Sequence, residues 1–301
     1  MILLLALLLD GIFGEPKWLW SRIPHPAVLM GRAVGWMDAR LNTGDNKKRN
    51  GIFSLIALCF AACITGLFVS KLPDYGIIQV LITAILLAQK SLTQHVTAVA
   101  NALRLSTGDG RLAVARIVGR DTRNLDDNAI ARGAIESAAE NLSDGIVAPA
   151  FWFLLLGLPG LLIYKITNTA DSMIGYLTPR HRDFGWAAAR FDDLINWIPA
   201  RITALLIALT HASLSKWHII LRDAPLHRSP NAGWPEAAMA TALNVALAGP
   251  RSYDGDMHDF PFVHDEGRHT LTPHDIDAAA AALWRVWWAL LFITALIALF
   301  S

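Results

Sequence analysis

Several stretches of this chain gather carboxylates, amides and guanidinium groups of the kind that handle a phosphate, a divalent cation and a proton together. The densest runs from Gly119-Arg-Asp-Thr122 through Arg132-Gly-Ala-Ile-Glu-Ser-Ala-Ala-Glu-Asn-Leu-Ser-Asp-Gly145. On a helix, Arg132, Glu136 and Glu140 fall at i, i+4 and i+8 and stack along one face. Asn141 and Asp144 add oxygen ligands near the same end, before Gly145 breaks the helix. Hard oxygens at this density suit Mg2+, which bridges protein carboxylates and substrate phosphates while keeping several waters. Glu136, Glu140 and Asp144 are therefore candidate metal ligands, and Arg120, Asp121 and Asn141 candidates for the bound phosphate compound. The competing reading is a salt-bridged helix surface that ends in an ordinary Asp-Gly turn.

A second stretch, Asn168-Thr-Ala-Asp-Ser-Met-Ile-Gly-Tyr176, follows an apolar run directly. A carboxylate there, Asp171, lies near a membrane boundary and is costly unless solvated, paired or metal-bound. Asn168 shares its helical face, and Ser172 adds a hydroxyl. Arg190-Phe-Asp-Asp-Leu-Ile-Asn-Trp-Ile-Pro-Ala-Arg201 comes next, with Asp192 and Asn196 at i, i+4 and Asp193 on another face. Asp171 and Asp192 read as metal ligands, with Arg190 and Asp193 as catalytic candidates; ion pairing with Arg190 and Arg201 is the plainer explanation. The last stretch holds Arg222-Asp223 and His227-Arg-Ser-Pro-Asn-Ala-Gly-Trp-Pro-Glu236. Arg222 and Arg228 can each donate several hydrogen bonds to phosphate or carboxylate oxygens. Histidine's reference pKa lies near neutrality, so His227 suits general acid or base work, or a structural role. Asn231 is a further binding candidate, and Glu236 opens an apolar helix where the helix dipole favours a carboxylate.

Two tempting patterns carry less. His258, His264, His269 and His274 lack a zinc-like spacing and read as an exposed loop, and Gly108-Asp-Gly110 is a turn without the Lys-Ser/Thr pair of a phosphate loop.

The elements that must position these groups are membrane helices. Gly51–Ser70 has twenty residues without an ionisable group, enough at about 1.5 Å per residue to cross a hydrocarbon core of roughly 30 Å. Other uncharged stretches are Tyr75–Gln89, Ile146–Tyr164, Ile202–Thr210, Ala237–Pro250 and Val286–Phe300. In Ile146–Tyr164, Gly157-Leu-Pro-Gly160 permits a straight crossing or a broken helix that turns back, and keeping Asp144 and Asp171 on one side favours the hairpin. Lys47-Lys48-Arg49 places the start of the first span in the cytoplasm. Residues 10–50 read as a polar opening loop, and Met1–Leu9 as a short membrane or interfacial helix of the mature protein. Residues 92–145, with six Arg and seven acidic residues, read as cytoplasmic amphipathic helices. Residues 251–282 read as a variable polar loop. The expectation is thus an all-α, polytopic integral membrane protein in one domain, 1–301, with about 4–6 embedded segments, some broken or re-entrant. The chain is 54% hydrophobic and 17% charged, with eleven Trp suited to the lipid interface. A net charge of +1 excludes a basic field for nucleic acid. Cys59 and Cys63 share a helical face within the first span and read as inert thiols.

These motifs, in this order, resemble the adenosylcobinamide-phosphate synthase family of cobalamin biosynthesis. The likeness rests on DGIFGEP with HPAVLMGR, GRDT, AIESAAENLSDGIVAP, YKITNTADSMIGY, ARFDDLINWIPAR and RDAPLHRSPNAGWPEA, and covers about residues 10–250. Glu15 and Ala170 depart mildly from the family pattern, and residues 251–275 match poorly. The resemblance implies an enzyme in the cell membrane that joins aminopropanol, or its phosphate, to adenosylcobyric acid through an amide bond, with ATP and Mg2+. Candidate roles follow from residue chemistry: Mg2+ at some of Glu140, Asp144, Asp171 and Asp192, charge neutralisation by Arg190 or Arg222, proton acceptance by Asp193 or His227, and phosphate binding by Arg120 or Arg228. A transferase acting on a lipid diphosphate, a transporter and a non-catalytic relative are the competing classes.

Overall fold

A computed structural model describes residues 1–119, 121–253 and 256–300, without the side chains of Lys17 and residues 251–258. It is helical apart from two short antiparallel strand pairs, Leu247–Ala248 with Phe262–Val263 and Arg251–Tyr253 with Asp256–His258. Among the described residues four helices are long and apolar enough to cross a membrane: Lys47–Ser70, Ile77–Leu105, Asp127–Ile174 and Pro273–Phe300. The bent pair Trp186–Ile195 and Trp197–Thr210 makes a fifth if it acts as one span. The chain is a multi-pass membrane protein, as its uncharged stretches predict. Its residues divide into two compact units, the first of residues 1–88, 148–197 and 294–301, the second of 89–147 and 198–293.

In the first unit Lys47–Ser70 packs along Ala148–Ile174, and small residues set how closely. A Cβ on Gly66 would overlap Pro159, and one on Gly51 would overlap the Phe184 carbonyl. Val34, Leu58, Ile166, Ala170, Ile174, Phe184 and Ala188 form one buried cluster. Cys59 and Cys63 are free and half-buried, with Cys59 Sγ 3.6 Å from Thr167 Oγ1. Ile2–Phe13, at twelve residues, is too short to cross the bilayer and packs on Ile77–Leu86.

The apolar run at 148–174 does turn back. Gly157 has φ 66° and ψ −155°, outside the helical region. Ala148 and Tyr164 would lie about 24 Å apart along a straight helix, yet both pack against Ile195 in one cluster. A Cβ on Gly160 would overlap the Trp152 carbonyl, which a straight helix would carry two turns away. Pro159 supplies no N–H and Gly157 adopts a φ that a side chain disfavours, so the sequence reverses where those two residues stand.

Two local expectations give way. Residues 10–50 are not a loop: Pro26–Leu41 is helical, with the Ala27 N–H donating to His25 Nδ1 at 3.1 Å. Pro26 sits in the first turn, where its missing N–H costs nothing, so it starts the helix instead of breaking it. The terminal helix begins at Pro273, inside the stretch read as a polar loop, because Thr272 and Asp275 cap it. The Thr272 N–H donates to Asp275 Oδ2 at 2.7 Å and the Asp275 N–H to the Thr272 carbonyl at 3.0 Å.

In the second unit Asp127–Leu142 is the central helix, started by Asp126, whose Oδ1 accepts the Ala129 N–H at 2.7 Å. Its Ile130, Ala131 and Gly133–Ala139 are buried, while Asp127, Glu140 and Asn141 stay exposed. Ala and Gly present so little bulk that Gln89–Leu105, Thr107–Val114 and Gly233–Leu243 all reach it. Gly108-Asp109-Gly110, read as a turn, lies in the first turns of Thr107–Val114, with Ser106 Oγ accepting the Asp109 N–H. Ser143–Val147, which carries Asp144, is a π-helical turn, a form often found at functional sites.

Candidate functional site

Each unit assembles its own polar cluster. In the first, the descending arm of the hairpin carries Asn168 and Asp171, and Trp186–Ile195 carries Arg190, Asp192 and Asp193. Asp192 is buried; its Oδ2 accepts the Asn196 amide at 2.9 Å and its Oδ1 the Asn168 amide at 3.5 Å. Asn196 Oδ1 in turn accepts the Tyr164 hydroxyl at 3.0 Å. The amide donors therefore orient the Asp192 carboxylate from both sides. Asp171 and Asp193 lie close enough to exert electrostatic repulsion within this cluster. Asp171 has its place because Gly175 lacks a side chain: a Cβ there would overlap its carboxylate. The i, i+4 relation of Asp192 and Asn196 was readable in the chain; the convergence of Asn168 and Tyr164 on them was not.

The second unit holds a cavity of about 260 Å3. Glu136, Ser137 and Glu140 reach it from the central helix, His227 and Arg228 from the loop before Gly233–Leu243, and Glu236 from that helix's first turn. Gly119 and Phe260 complete its polar and aromatic rim. Glu136 and Glu140 therefore meet His227 and Arg228, residues some ninety positions away along the chain. Glu136 Oε1 accepts the Ala248 N–H at 2.7 Å, which ties the cavity wall to the base of the strand arm. His227 Nδ1 accepts the Ser229 N–H at 3.0 Å, leaving the ring proton on Nε2, which faces Glu236 Oε1 at 3.6 Å. A Cβ on Gly233 would overlap the Ala224 carbonyl and crowd the His227 side chain, so this glycine lets the loop lie against the helix start. Glu236 and Phe260 are absent from the sequence-derived site. A glutamate opening a helix is explained by the dipole alone, and nothing local in the chain announces that a histidine nine residues earlier turns back onto it.

Other candidates have partners of a different kind. Arg222 forms a two-point pair with Asp223, at 2.6 and 3.1 Å, and also reaches Glu266 at 2.9 Å. Asp223 Oδ2 accepts the His264 N–H at 2.8 Å, so this pair pins the segment that follows Phe262–Val263. His264 is buried, with Nε2 3.2 Å from Asn244 Oδ1, which removes it from the exposed histidine loop expected there. Asn231 Oδ1 accepts Arg201 Nη1 at 3.3 Å, and that guanidinium stacks on Trp234. Asn141 donates to the Ser137 carbonyl at 2.9 Å, Arg190 reaches Asp193 at 3.4 Å, Asp144 is half-buried and Ser172 is exposed. Hydrogen bonds from Arg123 hold the Asp121 carboxyl down to about 2. Arg120 lies outside the described residues.

The Arg222–Asp223 pair gives a signed pH prediction. Burial pushes the Asp223 carboxyl up, but Arg222 and the His264 N–H outweigh it and hold it below the usual range. A carboxyl depressed on folding stabilises the protein above its unfolded value of about 3.9, and that stabilisation disappears as pH falls through the lower folded value. Asp223→Ala should cost about 2 kcal/mol at pH 7 and flatten the acid limb of a thermal-midpoint titration in detergent. An unchanged acid limb would rule the pair out as its source.

The donor set in the first unit is hard oxygen throughout and fits a cation such as Mg2+ that keeps waters and meets a substrate phosphate. Among the described residues no group of three or more His, Cys, Asp or Glu side chains is arranged to hold a metal. Mg2+ on a phosphate substrate needs only one or two such ligands.

Comparison with known proteins finds relatives over nearly the whole chain. The sequence is 51% identical over 300 residues to "Cobalamin biosynthesis protein CobD" of Brucella suis biovar 1 (strain 1330), covering 94% of this chain and 92% of that one. It is 48% identical to the protein of that name from Rhizobium meliloti (strain 1021), over 94% and 92% of the two chains. Identity to that of Halalkalibacterium halodurans is 40%, over 93% and 90%. No solved structure matches. The family described as "CobD/Cbib protein" matches residues 3–283. With its membrane helices and two polar clusters, the chain belongs to the CobD/CbiB family of cobalamin biosynthesis.

Proposed function

We propose that the protein catalyses ATP- and Mg2+-dependent amide ligation, joining (R)-1-amino-2-propanol or its O-phosphate to adenosylcobyric acid. The observation that carries this reading is the cavity of the second unit, where three glutamates, an imidazole and one guanidinium meet. An amine arrives as an ammonium ion and becomes a nucleophile only after giving up a proton. Carboxylates attract the ion, and one of them takes the proton. Glu236 suits the second task, because the His227 Nε2–H faces its carboxylate at 3.6 Å. Arg228 suits a phosphate on the amine.

The other half of the chemistry is activation of a carboxylate. A corrinoid propionate oxygen attacks the terminal phosphorus of ATP, ADP leaves, and an acyl phosphate forms. The amine nitrogen then attacks the acyl carbon, inorganic phosphate leaves, and the amide results. Mg2+, when bound, neutralises phosphate charge, and Asp171 and Asp192 are the residues that would hold it. Arg190, on the helix that carries Asp192, would offset charge that builds on the transferring group.

Detergent-purified protein incubated with adenosylcobyric acid and each amine, with and without ATP and Mg2+, tests the reading by mass detection of the product. The expected result is the amide, formed only when ATP and Mg2+ are both present. No corrinoid amide under any condition, or consumption of a lipid diphosphate in its place, would end it.

A further inference from the structure

We propose that Lys47, Lys48, Arg182 and Trp186 form a docking surface on the first unit for the headgroup of an anionic phospholipid. The surface does not depend on the ligation chemistry. Lys48 stands three residues before Gly51, where the uncharged stretch begins, which is about 4.5 Å along the helix axis. The headgroup layer outside a hydrocarbon core of roughly 30 Å is about 5–7 Å deep. The head of this span therefore sits at the level of lipid phosphates.

Two chain segments meet there. Gly51 faces the turn that precedes Trp186–Ile195, since a Cβ on it would overlap the Phe184 carbonyl. Lys47 and Lys48, four and three residues earlier on Lys47–Ser70, share that face, whereas Arg49 lies on another. Lys48 Nζ is 3.9 Å from the centre of the Trp186 ring. Arg182 belongs to the turn itself. Lys48, Arg182 and Trp186 are exposed, and Phe184 and Gly185 between the last two are buried.

The turn is well anchored. The Arg182 N–H donates to the Thr178 carbonyl at 2.8 Å, and the Gly185 N–H to the His181 carbonyl at 2.7 Å. Arg180 is committed to Asp38 at 2.6 Å, and the Asn42 amide donates to Asp38 at 2.8 Å and to the Arg180 carbonyl at 3.0 Å. Arg180 is thus balanced and serves to hold the turn. Among the described residues no ion pair engages Lys47, Lys48 or Arg182.

Charge and shape together select a lipid. Lys47, Lys48 and Arg182 outnumber the carboxylates beside them in the chain, Asp45 and Asp183. Basic side chains gathered at the end of a span attract anionic lipid. The ring face attracts the Lys48 ammonium, and N–H donors directed away from the ring remain for a phosphate oxygen. Trp186 suits the boundary between headgroup and acyl chain. A choline headgroup brings its own cation to this positive face, and a glycerol headgroup brings none. The same cations would attract ATP or free phosphate, so the test includes both.

Native mass spectrometry of the detergent-purified full chain, titrated with phosphatidylglycerol or phosphatidylcholine of identical acyl chains, reads the affinity of the first bound lipid. Wild type should bind phosphatidylglycerol about tenfold more tightly, and Lys48→Gln/Arg182→Gln should lose most of that preference. Arg49→Gln, at the same depth on the other face, should keep it. If the double variant does not elute as a folded species, Lys48→Gln and Arg182→Gln should each reduce the preference about threefold. Excess ATP or inorganic phosphate should leave the bound lipid in place. Equal affinity for the two lipids, a full preference in the double variant, an equal loss in Arg49→Gln, or displacement by ATP or phosphate would each overturn the assignment.

Discussion

Asp192→Asn should lower ATP- and Mg2+-dependent amide synthesis by about 100-fold, or 2.7 kcal/mol at the transition state, while raising the thermal midpoint of the metal-free protein. The two effects have one cause. Asp192 is buried, between amides that orient both of its oxygens, and other carboxylates stand near it. Holding like charges together in a poorly hydrated place costs stability, and that cost is repaid only when a cation joins them. An asparagine keeps the shape and removes one charge, so the metal-free fold should relax as the cation site weakens. Thermal midpoints with and without Mg2+ read this directly: wild type should gain stability on adding the ion, and the variant should gain much less. If Asp192→Asn melts lower than wild type without metal, and activity falls only with the folded fraction, the residue is a structural polar group and the Mg2+ assignment is lost.

Gly185→Ala should be among the most destabilising single methyl additions in the chain, at about 3 kcal/mol, the upper end of overpacking costs. A Cβ there would overlap the Ile174 carbonyl, which is backbone and cannot swing aside as a flexible side chain would. Ile174 ends the helix that carries Asn168 and Asp171, and Gly185 directly precedes the helix that carries Asp192. The contact therefore sets how closely those two helices approach. Amide synthesis should fall further than the folded fraction predicts, because the carboxylates move apart as the helices are pushed apart. Gly51→Ala acts on the other side of the same turn, where a Cβ would meet the Phe184 carbonyl. The double variant should be less than additive, since both methyl groups displace one segment. Thermal unfolding in detergent with a parallel activity assay measures both quantities. Normal stability in Gly185→Ala would show that this turn yields.

Much of this molecule can be read along the chain, because lipid imposes a simple rule. A backbone in hydrocarbon must satisfy its own hydrogen bonds, so twenty uncharged residues such as Gly51–Ser70 have little choice but to be a helix. Gly157 with Pro159 is similarly legible: one residue tolerates a positive φ, the other lacks an N–H, and the chain reverses there. Clusters within one helix, such as Glu136 with Glu140 or Asp192 with Asn196, follow from the helical repeat. Reading Pro26 and the residues after it as a loop failed for a related reason: proline at a helix start and proline in a loop are the same letter, and capping by His25 Nδ1 distinguishes them.

Encounters between distant segments are a different matter, since local spacing carries no record of them. Helical periodicity shows Glu136 and Glu140 on one face, but packing delivers His227, Arg228 and Glu236 to that face. Arg222 has the side chain of a phosphate binder, and folding brings Glu266 to it beside its chain neighbour Asp223. Residues 92–145 read as amphipathic helices, and within them neighbours cover most of Asp127–Leu142 because its residues are small, leaving Glu140 and Asn141 exposed. Composition and periodicity act over a few residues and so govern where helices form. Which charges share a cavity depends on helix-to-helix approach, which the clearance at positions such as Gly51, Gly185 and Gly233 sets once the whole chain is folded.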